Sequence, residues 1–339
     1  MTPQEKLNLI KRNTQEIITE EELLQLLQKK KQPTVYLGWS ITGKPHIGYY
    51  VPVLKLADFL RAGFKVKLLL ADLHGALDKT PWEVLEKRYQ LYAATIPLMF
   101  KSIGVDITNF EIVKGSDFQL KREYILDLLK LSTYTSINEA KRAASEVVKF
   151  GDNPKLSGVI YPLMQALDEV YLNVDVQYGG VDQRKILMYA REFLPKLGHQ
   201  PRIEIMTPLI PGLIGQKMSA SDPKSKVDLL DDEKAVQEKL QKAYCEEGVV
   251  EGNGVLAFLQ HVLMVLKQDQ KQKFIIERPA KWGGNLEFST YEEVEKAYSE
   301  KQLHPLDLKM AVAKEINTLL ATFRKEQERL EKIAKAGYS

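Results

Sequence analysis

The 339-residue chain has a single cysteine, Cys245, so no disulfide can form within it and a reducing compartment is its natural setting. No apolar run approaches the ~18–20 residues that a membrane-crossing helix needs. The chain begins Met1-Thr2-Pro3-Gln4-Glu5-Lys6, and acidic residues recur at Glu16, Glu20, Glu21 and Glu22. A secretory leader needs an apolar centre and an organelle transit peptide is poor in acids, so a cytoplasmic protein is predicted. Charge of one sign is also scarce, the formal net charge being only +3. So weak a field does not announce a nucleic-acid partner; RNA would have to be held by local patches. No cysteine or histidine cluster has zinc spacing, so no protein-bound metal is expected. Internal repeats and low-complexity segments are missing too. What is present, 44% hydrophobic and 27% charged residues, describes an ordinary globular protein long enough for one large domain and a smaller one.

Along the chain, residues 4 to 30 read as two short charged helices, and Thr34-Val35-Tyr36-Leu37-Gly38-Trp39 as a strand. Gly43-Lys44-Pro45 makes a turn, followed by a helical pattern from His46 to about Leu60. The continuous apolar run from Lys65 to Asp72 predicts a buried strand, residues 82 to 103 a long helix, and Phe110-Glu111-Ile112-Val113 a third strand. Alternation of this kind points to a doubly wound parallel sheet covered by helices. Residues 121 to 173 read as a mainly helical insertion, ahead of a strand at Val174-Asp175-Val176-Gln177-Tyr178. Beyond residue 231 the pattern turns to helices with one short strand, Lys273-Phe274-Ile275-Ile276, so a domain boundary is expected there.

Three segments carry chemistry. The first is the strand-loop-helix at residues 34 to 49. Ligands of doubly wound sheets bind beyond the carboxyl ends of the strands, where a helix N-terminus offers free N–H groups to phosphates. Pro45 suits the first turn of such a helix, Gly48 lets a flat base approach the backbone, and His46 is placed to donate to a phosphate oxygen. A plain βα turn with a surface histidine is the alternative. The second segment is Lys217-Met218-Ser219-Ala220-Ser221, which follows Pro211-Gly212-Leu213-Ile214-Gly215. A lysine on a mobile loop there would stabilise charge growing on a departing pyrophosphate; a solvated surface lysine is the alternative.

The third segment is the helix Ser157 to Leu172, apolar nearly all round and therefore expected to be buried. Tyr161, Gln165 and Asp168 fall at i, i+4 and i+7, on one face. A buried carboxylate needs a donor, so Asp168 meets either a core cation or the O–H of a bound phenol.

His46-Ile47-Gly48-Tyr49 and the Lys217 loop together resemble the two signatures of class I aminoacyl-tRNA synthetases. The likeness sharpens to the tyrosyl branch of archaeal and eukaryotic cytosolic type, over nearly the whole length. It rests on Tyr36-Leu37-Gly38-Trp39, Gly43-Lys44-Pro45-His46, Ala71-Asp72-Leu73-His74, Tyr161-Pro162-Leu163-Met164-Gln165-Ala166-Leu167-Asp168 and Gly179-Gly180-Val181-Asp182-Gln183-Arg184-Lys185. The resemblance implies that Tyr36 and Asp168 bond the substrate phenol, and that Tyr161, Gln165 and Gln183 hold its α-amino end. It implies ATP contacts from Gly38, His46, Gly48, Tyr49, Gly179, Asp182, Lys217, Ser219 and Ser221, with catalysis by His46 and Lys217. Magnesium would travel on the nucleotide. Arg184, Lys141 and Arg142 would meet tRNA. Lys281-Trp282-Gly283-Gly284-Asn285 and His304-Pro305-Leu306-Asp307-Leu308-Lys309 match the anticodon-reading part, with Trp282 as a stacking face and Asp307 as an acceptor for base-edge donors. A homodimer is implied, with the insertion near its two-fold axis.

Two positions depart from the general class I pattern. Tyr49 stands where a second histidine is usual, and Ala220 where a second lysine is usual, so either Lys217 acts alone or another cation helps. The chain is thus expected to comprise an ATP- and tyrosine-binding domain over residues 1–231 and an anticodon-binding domain over 232–339, with no further RNA-binding domain appended. The rivals are a tryptophanyl enzyme, a nucleotidyltransferase of related fold that works without tRNA, and a synthetase-derived RNA-binding or signalling protein without activity. Tyr36 with Asp168 favours a phenol over an indole; the 232–339 segment disfavours the second rival, and intact His46 and Lys217 disfavour the third.

Overall fold

Local signals start the first helices. In the computed structural model, which describes residues 1–213 and 226–338, Thr2 and Glu5 close a capping box on α1 (Pro3–Lys11). Thr19 caps α2 (Glu20–Lys29), accepting from the Glu22 N–H. The stretch between them is a short strand, β1 (Glu16–Ile18), which the reading of residues 4 to 30 as helices missed. Three residues flanked by charged helices carry no periodicity of their own; β1 exists because its partner at the sheet edge is present.

The apolar runs form the sheet centre. β2 (Thr34–Ser40) leads through a 3₁₀ turn into α3 (Tyr50–Arg61); β3 (Lys65–Ala71) leads into the short α4 (Asp72–Leu77). Asp72, read as the end of that strand, opens α4 instead. α5 (Leu85–Ser102) returns the chain to β4 (Phe110–Lys114). The helical insertion follows as α6 (Ser116–Gln119), α7 (Arg122–Tyr134), α8 (Ile137–Ala143) and α9 (Leu156–Tyr171). β5 (Val176–Gly180), α10 (Arg184–Phe193) and β6 (Ile203–Thr207) complete the sheet.

Strand order is β1-β6-β5-β2-β3-β4. All neighbours are parallel except β1, which runs antiparallel to β6 with Glu16 beside Met206. The chain winds outward from β2 through β3 to β4, then returns to β5 on the other side of β2 and winds outward to β6. The direction of winding therefore reverses between β2 and β5, and a crevice must open there at the strands' carboxyl ends. The doubly wound expectation holds, with β1 as an antiparallel edge.

Further on come α11 (Glu233–Lys242), α12 (Gly254–Phe258), α13 (Met264–Gln270), β7 (Phe274–Ile276), β8 (Leu286–Phe288), α14 (Tyr291–Ser299), α15 (Pro305–Arg324) and α16 (Gln327–Tyr338). The single strand expected near residue 274 is one arm of an antiparallel pair, Phe274 lying beside Phe288. Among the described residues no helix is long and apolar enough to cross a membrane.

Two contacts tie this later part to the sheet. Arg12, after α1, bonds both Asp58 of α3 and Asp269 of α13, the latter at 2.6 Å, and Arg61 reaches Asp269 at 2.6 Å. At the other end, Arg88 Nε of α5 donates to the Gly337 carbonyl at 3.1 Å, and its guanidinium lies 4.5 Å over the Tyr338 ring.

Candidate active site

The crevice between β2 and β5 is a cavity of about 640 Å³. Eleven of the residues expected at the site line it: Tyr36, Gly38, His46, Gly48, Tyr49, Tyr161, Gln165, Asp168, Gly179, Asp182 and Gln183. They come from four separate stretches of chain, so the sheet topology, rather than local sequence, brings them together.

One end of the cavity is a buried polar cluster. α9 is apolar around most of its surface and lies against the sheet, which carries Asp168 into the interior with about 1% of its surface exposed. Among the described residues no Lys or Arg pairs with it. Its Oδ1 accepts from Gln119 Nε2 at 2.8 Å and from the Tyr124 hydroxyl at 2.9 Å. Burial pushes the Asp168 carboxyl up to about 8, against the pull of those two hydrogen bonds. Its other oxygen lies 3.8 Å from His74 Nε2. Burial also pulls the His74 imidazole down to about 4, opposed by the Tyr161 carbonyl. Between about pH 4 and pH 8 both groups are therefore neutral, and the contact is no ion pair despite its distance. Tyr36 stands on β2 in the same cluster and donates to the Gln165 carbonyl at 3.3 Å. Burial, then the charges of Asp168, Glu169 and Glu204, hold its phenol well above the ordinary range, so it stays a neutral donor.

Along α9, Gln165 Nε2 donates to Gln183 Oε1 at 3.2 Å, joining two of the residues expected at an α-amino group. The third, Tyr161, sits edge-on to His74 with ring centroids 4.7 Å apart. At the end of β5, a Cβ at Gly180 would lie 2.5 Å from Asp182 Oδ1, so a side chain there would push the Asp182 carboxylate aside.

The opposite end of the cavity is the turn at His46. The imidazole caps the 3₁₀ turn Ile47–Tyr49, its Nδ1 accepting from the Gly48 N–H at 3.1 Å. That bond leaves Nε2 as the protonated nitrogen, free in direction to donate. Burial first, and the nearby charge of Lys226 second, lower the His46 imidazole to about 3, so it is neutral at working pH. Pro45 does not stand in the first turn, as the sequence suggested. The extended His46 takes the cap position, which puts Pro45 outside, where its carbonyl accepts from Leu229 N–H at 3.3 Å. Ile47 N–H likewise donates to the Val227 carbonyl at 3.0 Å, and Lys226 Nζ to the Lys44 carbonyl at 3.1 Å. The loop before His46 is held from behind as well, Gly43 carbonyl accepting from Tyr92 at 2.7 Å and from Tyr338 at 2.5 Å. Lys217, Ser219 and Ser221 lie outside the described residues.

The expected RNA contacts lie elsewhere. Arg184 opens α10 at the surface and holds Glu16 with bonds of 2.7 and 2.9 Å. Lys141 and Arg142 close α8, the Lys141 ammonium 5.8 Å from the Phe150 ring. Trp282 is 66% exposed, which removes a core role. Asp307 stands in the first turn of α15, the position of a helix-start acid.

Three polar residues of the buried cluster were not assigned a role from the sequence. Gln119 and Tyr124 fall in ordinary helical stretches, and no local pattern marks them. His74 sits in a quoted motif, Ala71-Asp72-Leu73-His74, yet nothing in that motif shows that the ring turns toward Asp168.

Residues 28–321 match the profile of the class I tRNA synthetases (W and Y). The chain is 48% identical over 340 residues to the cytoplasmic tyrosine–tRNA ligase of Gallus gallus, an alignment covering 99% of this chain and 64% of that protein. It is 47% identical to the cytoplasmic tyrosine–tRNA ligase of Saccharomyces cerevisiae, covering 96% of this chain and 84% of the yeast protein. The crystal structure of a tyrosyl-tRNA synthetase with L-tyrosine from Archaeoglobus fulgidus superposes with a TM-score of 0.87 at 42% identity, over 96% of this chain and 99% of that one. This chain therefore spans just under two thirds of the chicken protein's length.

Proposed function

The chain belongs to the class I tRNA synthetases of the tryptophan and tyrosine group, and on that premise we propose that it is a tyrosine–tRNA ligase working in the cytoplasm. The observation that carries the choice of tyrosine is the Asp168 carboxyl, buried near Tyr36 in the cavity wall with no Lys or Arg paired to it among the described residues. An indole N–H satisfies one acceptor; a phenol both donates and accepts, which suits this pair.

The residues divide by position. The phenol of the substrate lies at Tyr36 and Asp168, and its ammonium at Tyr161, Gln165 and Gln183. Its carboxylate then points along the cavity toward the His46 turn. ATP lies against Gly38, Gly48, Tyr49, Gly179 and Asp182, with magnesium carried on its phosphates. The tyrosine carboxylate oxygen attacks the α-phosphorus; the bond to the bridging oxygen breaks, and pyrophosphate leaves with that electron pair. His46 Nε2–H donates to phosphate oxygen as charge accumulates. Lys217 serves the same charge, a role that rests on sequence alone. The terminal ribose hydroxyl of tRNA then attacks the tyrosyl carbonyl, and AMP leaves. No side chain becomes covalently attached; positioning and electrostatics carry both steps.

Two further readings belong to the same proposal. Residues 232–339 bind the anticodon arm through Trp282 and Asp307, while Arg184, Lys141 and Arg142 meet the acceptor end. The protein is a homodimer. Support comes from α7 and its flanks, where Leu120, Leu126, Leu129, Tyr134 and Ile137 are each exposed. Charging of a tRNA(Tyr) transcript with labelled tyrosine tests the ligase reading. ATP-dependent accumulation of tyrosyl-tRNA is expected, and its failure with active, folded protein would reject it.

A further inference from the structure

His74 has a buried polar atom that nothing among the described residues satisfies. Its ring is about 2% exposed at the closed end of the cavity, and Nε2 has no hydrogen-bond partner. We assign the tautomer that lets the Gln119 amide donate to the ring. Gln119 Nε2 carries two hydrogens; it gives one to Asp168 Oδ1 at 2.8 Å and lies 3.4 Å from His74 Nδ1. With Nδ1 as acceptor, the imidazole proton sits on Nε2. That N–H faces Asp168 Oδ2 across 3.8 Å, too far for a direct bond. The ring N–H and the carboxyl oxygen thus lie beside one another unbonded, and a buried ring nitrogen without a partner among the described residues costs free energy in the empty site.

An oxygen atom lying about 2.8 Å from each would close the gap. Since two such bonds exceed 3.8 Å end to end, that oxygen must lie off the line between the two atoms, and the open side is the cavity that His74, Asp168 and Tyr36 all line. We infer that His74 is a specificity-determining residue that donates its Nε2–H to the phenol oxygen of the bound amino acid. A phenol oxygen donates once and accepts twice. Asp168 takes its proton, Tyr36 donates to one lone pair, and His74 donates to the other. The substrate oxygen is then fully satisfied, and so is the site. Phenylalanine leaves the His74 N–H without an acceptor and denies Asp168 and Tyr36 the substrate hydroxyl. The low imidazole value fits a neutral donor over the whole working range.

This inference rests on the tyrosine reading above, and the test separates the two. Pyrophosphate exchange is measured with tyrosine and with phenylalanine for wild type, His74→Leu and His74→Gln, the amide of glutamine reproducing a donor at the Nε2 position. For His74→Leu, the ratio of kcat/KM for tyrosine over phenylalanine is expected to fall about tenfold to a hundredfold, with KM for ATP unchanged. His74→Gln should recover most of that ratio. A His74→Leu ratio within about twofold of wild type, with only the melting temperature moved, overturns the inference and makes His74 a packing residue against Tyr161. If wild type itself does not prefer tyrosine, it is the ligase reading that fails. Should His74→Leu not fold, wild type labelled with ¹⁵N-histidine decides: tyrosine must shift the His74 Nε2 resonance, assigned through His74→Gln, and phenylalanine must not. Equal shifts with both amino acids overturn the inference as well.

Discussion

The Tyr124 hydroxyl donates to Asp168 Oδ1 at 2.9 Å, so a residue of the helical insertion orients the carboxylate that α9 buries beneath the cavity. With Gln119 on the same oxygen, both internal donors fall on Oδ1, and Oδ2 lies 3.8 Å from His74 Nε2.

Asp168→Asn follows from that arrangement. The empty-site carboxyl is raised to about 8 from an ordinary value of 3.8, so it is protonated at neutral pH and its ionisation costs stability. The sign is that of a raised group: full stability below the unfolded value, lost as pH rises through about 8. The asparagine variant should therefore melt higher than wild type at pH 9 and equally at pH 4. A phenol that donates to the carboxylate favours its ionised form, so wild type should release close to ~1 proton on binding tyrosine at pH 7. Calorimetry in buffers of different ionisation enthalpy reads that proton, which Asp168→Asn should abolish. The variant should also lose about ten- to a hundredfold in preference for tyrosine over phenylalanine, tyrosyl enzymes being the usual illustration of rejection by unpaired polar groups. A stability loss at every pH with the preference intact would mark Asp168 as structural.

His46 should contribute no ionisation to the pH profile of activation. Its imidazole is lowered to about 3, so it stays neutral from pH 5 upward. His46→Ala is expected to slow adenylate formation about a hundredfold with little change in tyrosine binding, since the bond forms as charge grows on the phosphates. Lys217→Ala should show the same split between kcat and KM. Single-turnover quench measurements decide both; unchanged activation in either variant removes that residue from the mechanism.

Trp282→Ala and Asp307→Ala should leave pyrophosphate exchange near wild type and raise the KM for tRNA. Trp282 is an exposed face on which a base can stack, for about 1–3 kcal/mol. Tyrosine codons require guanine, or a modified form of it, at the first anticodon position, and a carboxylate accepts from its N1–H and amino group. Replacing that guanine should thus harm wild type more than Asp307→Ala. Equal sensitivity would show that Asp307 does not read the base.

Much of this arrangement was legible in the chain, and the omissions have physical reasons. β2 and β3 lie at the sheet centre, so continuous burial wrote continuous apolar runs. β1 and β8 are three residues each, and β6 hides its burial because Glu204 interrupts Ile203 and Ile205 while being wholly buried itself. Tyr36, His46 and Asp168 were legible because each sits in a local motif tied to its element. Gln119, Tyr124 and the orientation of His74 were not, because they meet Asp168 only when the insertion folds back on β3 and α4; no spacing along one helix encodes that meeting.

The exposed apolar face on α7 yields a further expectation. Leu126→Glu with Leu129→Glu places two charges on it and should convert a dimer to a monomer at micromolar concentration in sedimentation, without lowering the melting temperature of the subunit by more than about 1 kcal/mol equivalent, both side chains being exposed. Wild type sedimenting as a monomer would reject the homodimer.

The central claim is that the cavity activates tyrosine. ATP–pyrophosphate exchange, run with each natural amino acid in turn, tests it most directly. Rapid exchange with tyrosine alone is the predicted result. Exchange with tryptophan exceeding that with tyrosine, or no amino-acid-dependent exchange from folded protein, would contradict it.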